Sequence, residues 1–195
     1  MEELNVSGVA VGAEDYREAD RIVRILTPDR GVIRAVMRGV KKEKAKLKFA
    51  AMPFAFCEYS LMKRGAYYTV KTASPIESLF GVTRSPDAYL AGSVMLEAAA
   101  EAAGESAATD VFLRLLTTLK MLIYSDVGPY SLCLNFVFGL LKSGGFVSPS
   151  PADADYDVPP EEQTSLGDSA LPRLKKYIRL FENKYVCRIR SAALL

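Results

Sequence analysis

The sequence predicts an α+β protein: a five-stranded β-barrel over residues 1–80, followed by an all-helical domain over residues 81–195. Three observations predict it. Between residues 5 and 77, short β-branched or aromatic runs recur, separated by turn-forming residues. From residue 85 onward, alanine- and leucine-rich stretches are opened by proline and closed by glycine. The chain has 195 residues, half of them apolar, which is enough to bury a substantial core.

The strand-like runs are residues 5–12, 21–26, 31–37, 54–62 and 67–73. Turn signals separate them: the polar stretch EDYREAD, then Thr27-Pro28-Asp29-Arg30-Gly31, then Lys63-Arg64-Gly65. In the third run Arg34 and Met37 interrupt the simple alternation. Five short strands in about seventy residues suggest a small Greek-key barrel, and the OB-fold is the nucleic-acid-binding module of that size.

The character changes after Ile76-Glu77-Ser78. Ser85 and Pro86 form a cap and first turn for a helix that runs to Gly104. Thr109-Asp110 introduces a second helix with leucines at helical spacing. Pro129 opens a third, nearly all apolar and ending at Gly144-Gly145, whose composition places it at the centre of the helical domain. Residues 147–168 contain four of the ten prolines and net −6, which reads as a loop or locally disordered connector. A last helix, near residues 169–183, carries cations and leads into a basic end.

The missing residues exclude much chemistry. Without histidine there is no His-dependent triad, no HExxH site and no histidine acid–base catalysis. Cys57, Cys133 and Cys187 are widely spaced and odd in number, giving no disulfide framework and no CxxC pair, so reduced thiols and no metal site are expected. Neither GxxxxGK[ST] nor a GxGxxG between strand and helix occurs. The first residues lack a signal-peptide layout and no apolar run is long enough for a membrane span, so a cytoplasmic protein without membrane contact is expected.

Charge is informative once divided along the chain. The net value is only +2, yet residues 1–84 hold 15 basic and 10 acidic residues, residues 85–170 hold 3 and 12, and residues 171–195 hold 7 and 1. Two basic ends therefore flank an acidic middle. The cations are densest in residues 30–48, where eight face the single acid Glu43. That is the electrostatic footprint of a phosphate-binding surface. Arg34, Arg38, Lys41, Lys42, Lys44, Lys46 and Lys48 are the expected phosphate contacts, and Tyr16, Tyr67 and Tyr68 are stacking candidates.

The ordered series Asp20-Arg21-Ile22-Val23, Leu26-Thr27-Pro28-Asp29-Arg30-Gly31-Val32-Ile33-Arg34, Arg38-Gly39-Val40-Lys41-Lys42, Met52-Pro53-Phe54 and Ile76-Glu77-Ser78 resembles the start of the bacterial recombination-mediator family RecO. The C-terminal Leu174-Lys175-Lys176-Tyr177 and Arg188-Ile189-Arg190 resemble that family's ending. The resemblance implies an N-terminal OB-fold, a helical domain and no enzymatic turnover. It also implies binding of single- and double-stranded DNA, strand annealing, association with RecR, contact with the acidic C-terminal tail of single-stranded DNA-binding protein, and indirect help to RecA, with location at the nucleoid.

For a tail-binding rim on the helical domain, Arg114, Lys120, Arg173, Lys176 and Arg179 are the candidates. Many family members carry two CxxC pairs that bind zinc before the last helix. Here no cysteine lies between Cys133 and Cys187, so that module, and any cofactor, is expected to be absent. A protein-binding adaptor barrel, or an RNA-binding one without annealing activity, is the alternative, since backbone cations do not distinguish the two sugars.

Overall fold

Five strands emerge in the computed structural model, which describes residues 3–65, 67–104 and 106–195. They are β1 (Glu3–Tyr16), β2 (Asp20–Thr27), β3 (Gly31–Met37), β4 (Ala55–Arg64) and β5 (Tyr67–Ser78). The sheet closes on itself in the order β1-β2-β3-β5-β4. Antiparallel ladders join β1 to both β2 and β4, and β3 meets β5 in parallel at Ala35/Tyr68 and Val36/Thr69. This is a five-stranded OB-type barrel, closed rather than partly open.

The alternation in β3 is intact. Gly31, Ile33, Ala35 and Met37 point inward and Val32, Arg34 and Val36 outward. The break expected at Arg34 and Met37 is therefore corrected: Arg34 occupies an outward position, and the unbranched Met37 is a fully buried core residue. β1 likewise runs further than its composition suggests. Residues 14–16, expected in a turn, pair with Ile22, Arg21 and Asp20, so ladder bonds and an Arg21–Asp15 ion pair of 3.0 Å override weak β-propensity.

In β1 the register shifts between Ala10 and Gly12, which leaves Val11 as an extra residue and buries Val9, Ala10 and Val11 consecutively. Gly8 permits the close crossing next to it, since a Cβ there would lie 2.5 Å from Ile25 Cγ2 and 2.8 Å from the Leu26 carbonyl oxygen. β5 continues to Ser78 past Pro75, which pairs with Cys57 of β4 beside a second register shift. Beyond Thr69 the other edge of β5 has no partner strand among the described residues, so the missing N–H of Pro75 breaks no ladder.

The chain divides into two compact units, one comprising Met1–Phe80 with Ala103–Phe112 and the other Gly81–Ala102 with Leu113–Leu195. Residues 103–112 join the barrel through backbone bonds. The Val32 N–H donates to the Gly104 carbonyl at 2.7 Å and the Ala108 N–H to the Pro28 carbonyl at 2.8 Å.

The helices are α1 (Pro86–Ala103), α2 (Thr109–Tyr124), α3 (Pro129–Ser143) and α4 (Ala170–Tyr185). The Ser85 hydroxyl caps α1 by accepting the Ala88 N–H at 3.4 Å. Every residue of α3 from Ser131 to Leu141 is buried, as its all-round apolar composition requires. α4 packs against α3 through Leu174, Tyr177, Ile178 and Phe181.

The acidic connector is an ordered loop with short 3-10 turns at Pro151–Asp153, Pro160–Glu162 and Gly167–Ser169. Buried Asn135 of α3 pins it, its Nδ2 donating to the Val158 carbonyl at 2.8 Å, the Tyr156 carbonyl at 3.1 Å and Gln163 Oε1 at 3.1 Å. Local disorder, the other reading of that composition, does not describe it.

Candidate nucleic-acid interface

On the outer face of the barrel lies an open groove of about 570 Å³. β2 contributes Ile22, β3 contributes Arg34 and Val36, and β5 contributes Tyr67, Tyr68 and Thr69. Tyr16, Arg17 and Asp20 at the β1–β2 turn, Arg38 after β3 and the edge of the mostly buried Ile33 complete it. Strand alternation explains the arrangement. Because Ile33, Ala35 and Met37 fill the core, Arg34 and Val36 must face outward, where Val36 stands opposite Ile22 in the ladder. The result is an apolar floor with cations and phenol rings around it.

The three tyrosines differ in exposure. Tyr67 is 65% exposed and Tyr16 36%, while Tyr68 is half-buried against the barrel core. Tyr67 and Tyr16 are thus free to stack on a flat ring. Arg17 takes a left-handed backbone (φ +58°), costly for a side chain other than glycine, and lays its guanidinium 5.1 Å from the Tyr16 ring centroid.

Carboxylates from β1 reach the same cations. Glu14 pairs with Arg34, and Asp15 pairs with Arg21 at 3.0 Å and Lys41 at 2.8 Å. Hydrogen bonds from Lys41 and then Arg21 hold the Asp15 carboxyl below the ordinary carboxylate range. Asp20 accepts the Gly39 N–H at 2.7 Å and the Ala19 carbonyl accepts the Lys41 N–H at 3.0 Å, so the β1–β2 turn and the segment after β3 are tied together.

Of the seven expected phosphate contacts, Arg34 and Arg38 line the groove. Lys41 stands beside it through Asp15. Lys42, Lys44, Lys46 and Lys48 lie on the turn-rich segment between β3 and β4, exposed to solvent and outside the groove lining. That segment is anchored by the buried Val40 and by Leu47 and Phe49 packed on the barrel core, which presents its lysines as an extension of the cationic face. Arg17, also in the groove lining, lies in a polar turn of mixed charge outside the basic run, so the charge pattern does not single it out.

The five helical-domain cations do not form one rim. Arg114 lies against α3, its Nη1 donating to Asn135 Oδ1 at 3.3 Å, and a Cβ on Gly139 would fall 2.4 Å from its Cζ. Burial lowers its pKa, opposed by Glu161 and Asp157. Arg173 pairs with Asp155 at 3.7 Å and stands 5.6 Å from the Tyr156 ring centroid. The Lys176 ammonium is 5.4 Å from the Tyr177 ring centroid, and Lys120 is exposed on α2. Arg179 lines a separate groove with Lys175 and Arg188.

Among the described residues no group of three or more Cys, Asp or Glu is placed to hold a metal ion. Cys57 is buried in the barrel and Cys133 in α3, where burial pushes its thiol well up. The connector is held by Asn135 and by Asp153, which accepts from the Ser150 N–H and hydroxyl and from the Tyr156 and Tyr177 hydroxyls.

A closed five-stranded barrel with its groove on β2 and β3, beside the β1–β2 turn and the start of β5, defines an OB-fold protein, a class that takes up oligonucleotides or oligosaccharides at this position. Residues 1–79 match the family model "Recombination protein O N terminal". The N-terminal domain of this chain is therefore similar to that of the RecO family. It is 26% identical over 147 residues to the DNA repair protein RecO of Acetivibrio thermocellus, covering 75% of this chain and 59% of that protein. To the RecO of Caldicellulosiruptor saccharolyticus it is 23% identical over 146 residues, covering 75% and 60%. To that of Dehalococcoides mccartyi it is 34% identical over 132 residues, covering 66% and 51%. The matched segments thus span about three fifths or less of these relatives.

Proposed function

We propose that this chain is a DNA-binding recombination mediator of the RecO kind, acting in recombinational repair by binding single- and double-stranded DNA and annealing complementary strands. The groove carries the proposal: Tyr16 and Tyr67 offer stacking faces, Ile22 and Val36 an apolar floor, and Arg17, Arg34 and Arg38 the phosphate contacts. The match of residues 1–79 to the family model and the shared name of the relatives support it.

Annealing calls for no covalent step. Two strands repel through their phosphates, and a cationic surface that neutralises them while leaving base edges free lowers that barrier. The groove supplies both parts, with cations for the backbone and rings for the π-faces, and Lys42, Lys44, Lys46 and Lys48 extend the cationic face. Sequence-tolerant binding, and no catalytic residue or cofactor, follow from this mechanism. RecR, the acidic tail of single-stranded DNA-binding protein and, indirectly, RecA are the proposed partners. Of the helical-domain cations, Arg179, which lines a groove with Lys175 and Arg188, is proposed for the tail.

A strand-annealing assay with complementary oligonucleotides, with and without tail-bearing single-stranded DNA-binding protein, tests the reading. Wild-type protein should accelerate annealing, and joint replacement of Arg17, Arg34 and Arg38 by alanine should slow it severalfold. Equal annealing by the two proteins would contradict it.

A further inference from the structure

The groove's best-placed cation is already partnered. Among the described residues, Glu14 holds Arg34, and Asp15 holds Arg21 and Lys41. Both carboxylates come from the end of β1, which the extended β1–β2 ladder carries to the groove. Both are more than half exposed, at 55% and 60%. Neither serves the barrel core. Arg34 also stands directly opposite Arg24 in the β2–β3 ladder, a like-charge arrangement that an anion relieves. In the free protein that anion is Glu14.

We propose that Glu14 and Asp15 are built-in competitors for phosphate, which set the affinity of the groove and select ligands offering several successive phosphates over those offering one. The inference rests on the function proposed above. Exposed ion pairs are weak and screened by salt, so a phosphate can replace a carboxylate. Each replacement nevertheless returns one pair for one pair, and a single phosphate gains little. A strand presenting several phosphates in a row exchanges with Arg34, Lys41 and Arg21 while its bases stack on Tyr16 and Tyr67, and the stacking contribution accrues only to it. Cations shared with carboxylates contribute less than their full number to phosphate neutralisation.

Glu43 provides an internal control. It lies within the basic segment between Lys42 and Lys44, is exposed, and forms no ion pair among the described residues. Glu14→Gln and Glu43→Gln therefore remove the same charge from exposed positions, one with an ion pair and one without.

The test is equilibrium binding of a labelled oligothymidylate to the full chain across a salt series, for wild type, Glu14→Gln, Asp15→Asn and Glu43→Gln. Glu14→Gln should tighten binding severalfold at moderate salt and steepen the log–log salt slope by up to about 0.7, the contribution of one further single-strand phosphate contact. Asp15→Asn should act in the same direction, whereas Glu43→Gln should leave the slope unchanged. Equal changes for Glu14→Gln and Glu43→Gln would overturn the inference, because net charge alone would then explain them, and so would no change for Glu14→Gln and Asp15→Asn. If the wild type fails to bind the oligonucleotide, the proposed function falls first and takes this inference with it.

Discussion

Tyr67 is the residue on which the strand-binding role turns most directly. It is the most exposed aromatic of the groove, and its ring covers no core residue that would account for a bulky side chain at the head of β5. Base–aromatic stacking contributes about 1–3 kcal/mol per base, so Tyr67→Ala should weaken oligothymidylate binding about fivefold or more while leaving the urea midpoint unchanged. Anisotropy and urea titrations on the same preparation separate the two effects.

Asn135 makes the opposite case, a polar residue whose work is internal. It is buried, and three acceptors in the connector depend on its amide. Asn135→Leu keeps the volume but leaves those acceptors unpaired, at a cost of about 2–4 kcal/mol, which urea unfolding would register.

Asp153 adds a pH signature to the same connector. Hydrogen bonds from the Ser150 hydroxyl first, then the Tyr156 hydroxyl, hold its carboxyl well below the usual range. A depressed folded-state value means a contribution to stability that is complete above the unfolded value of about 3.9 and is lost as pH falls below it. Asp153→Asn should therefore be less stable than wild type at pH 7, with the difference shrinking on acidification below about pH 4. A difference that stays constant from neutral to acid pH would show that the carboxylate is not the group responsible.

At the scale of elements, the strands were legible from β-branched runs and turn residues because those signals are local. The ends of β1 and β5 were not. Residues 14–16 are polar, and they are strand because the β2 ladder and the Arg21–Asp15 pair hold them there, a tertiary cause that composition does not display. Pro75 hid the end of β5, being tolerated only on an edge without a partner strand. Arg34 and Arg38, expected phosphate contacts from the basic run, lie in the groove lining, whereas the groove itself, assembled from β2, β3, β5 and a turn, has no contiguous signature. The connector's proline and acid content fits a loop or local disorder, and the feature that decides for an ordered loop is Asn135, buried in a nearly all-apolar helix with its amide turned to the connector.

Gly31 tests the seam between the barrel and residues 103–112. It adopts φ +60°, and a Cβ there would meet the Ser106 carbonyl oxygen at 2.3 Å and that of Gly104 at 2.6 Å. Neither atom belongs to a flexible side chain. Gly31→Ala should cost more than about 2 kcal/mol through backbone strain combined with displacement of that segment, readable as a fall in Tm. Gly65, also at positive φ but with open space around its missing Cβ, should tolerate alanine with a smaller loss.

At the scale of the whole molecule, the net charge of +2 is a cancellation rather than a description. Of the cations in the first 84 residues, Arg17, Arg34 and Arg38 line the groove and five lysines lie on the segment after β3, while the acids of residues 85–170 include those of a connector folded against α3. Nucleic-acid contact is accordingly expected on the barrel. High ionic strength should weaken it in proportion to the number of phosphates engaged, whatever the sequence of the strand.

The most direct measurement is the affinity of the wild-type chain for oligothymidylate as a function of salt, set against the variant with Arg17, Arg34 and Arg38 replaced by alanine. Phosphate binding in the groove predicts a linear log–log loss of affinity with salt, shallower by up to about 2 in the variant, at about 0.7 per lost contact. An affinity that hardly changes with salt, or a variant slope equal to that of the wild type, would contradict it.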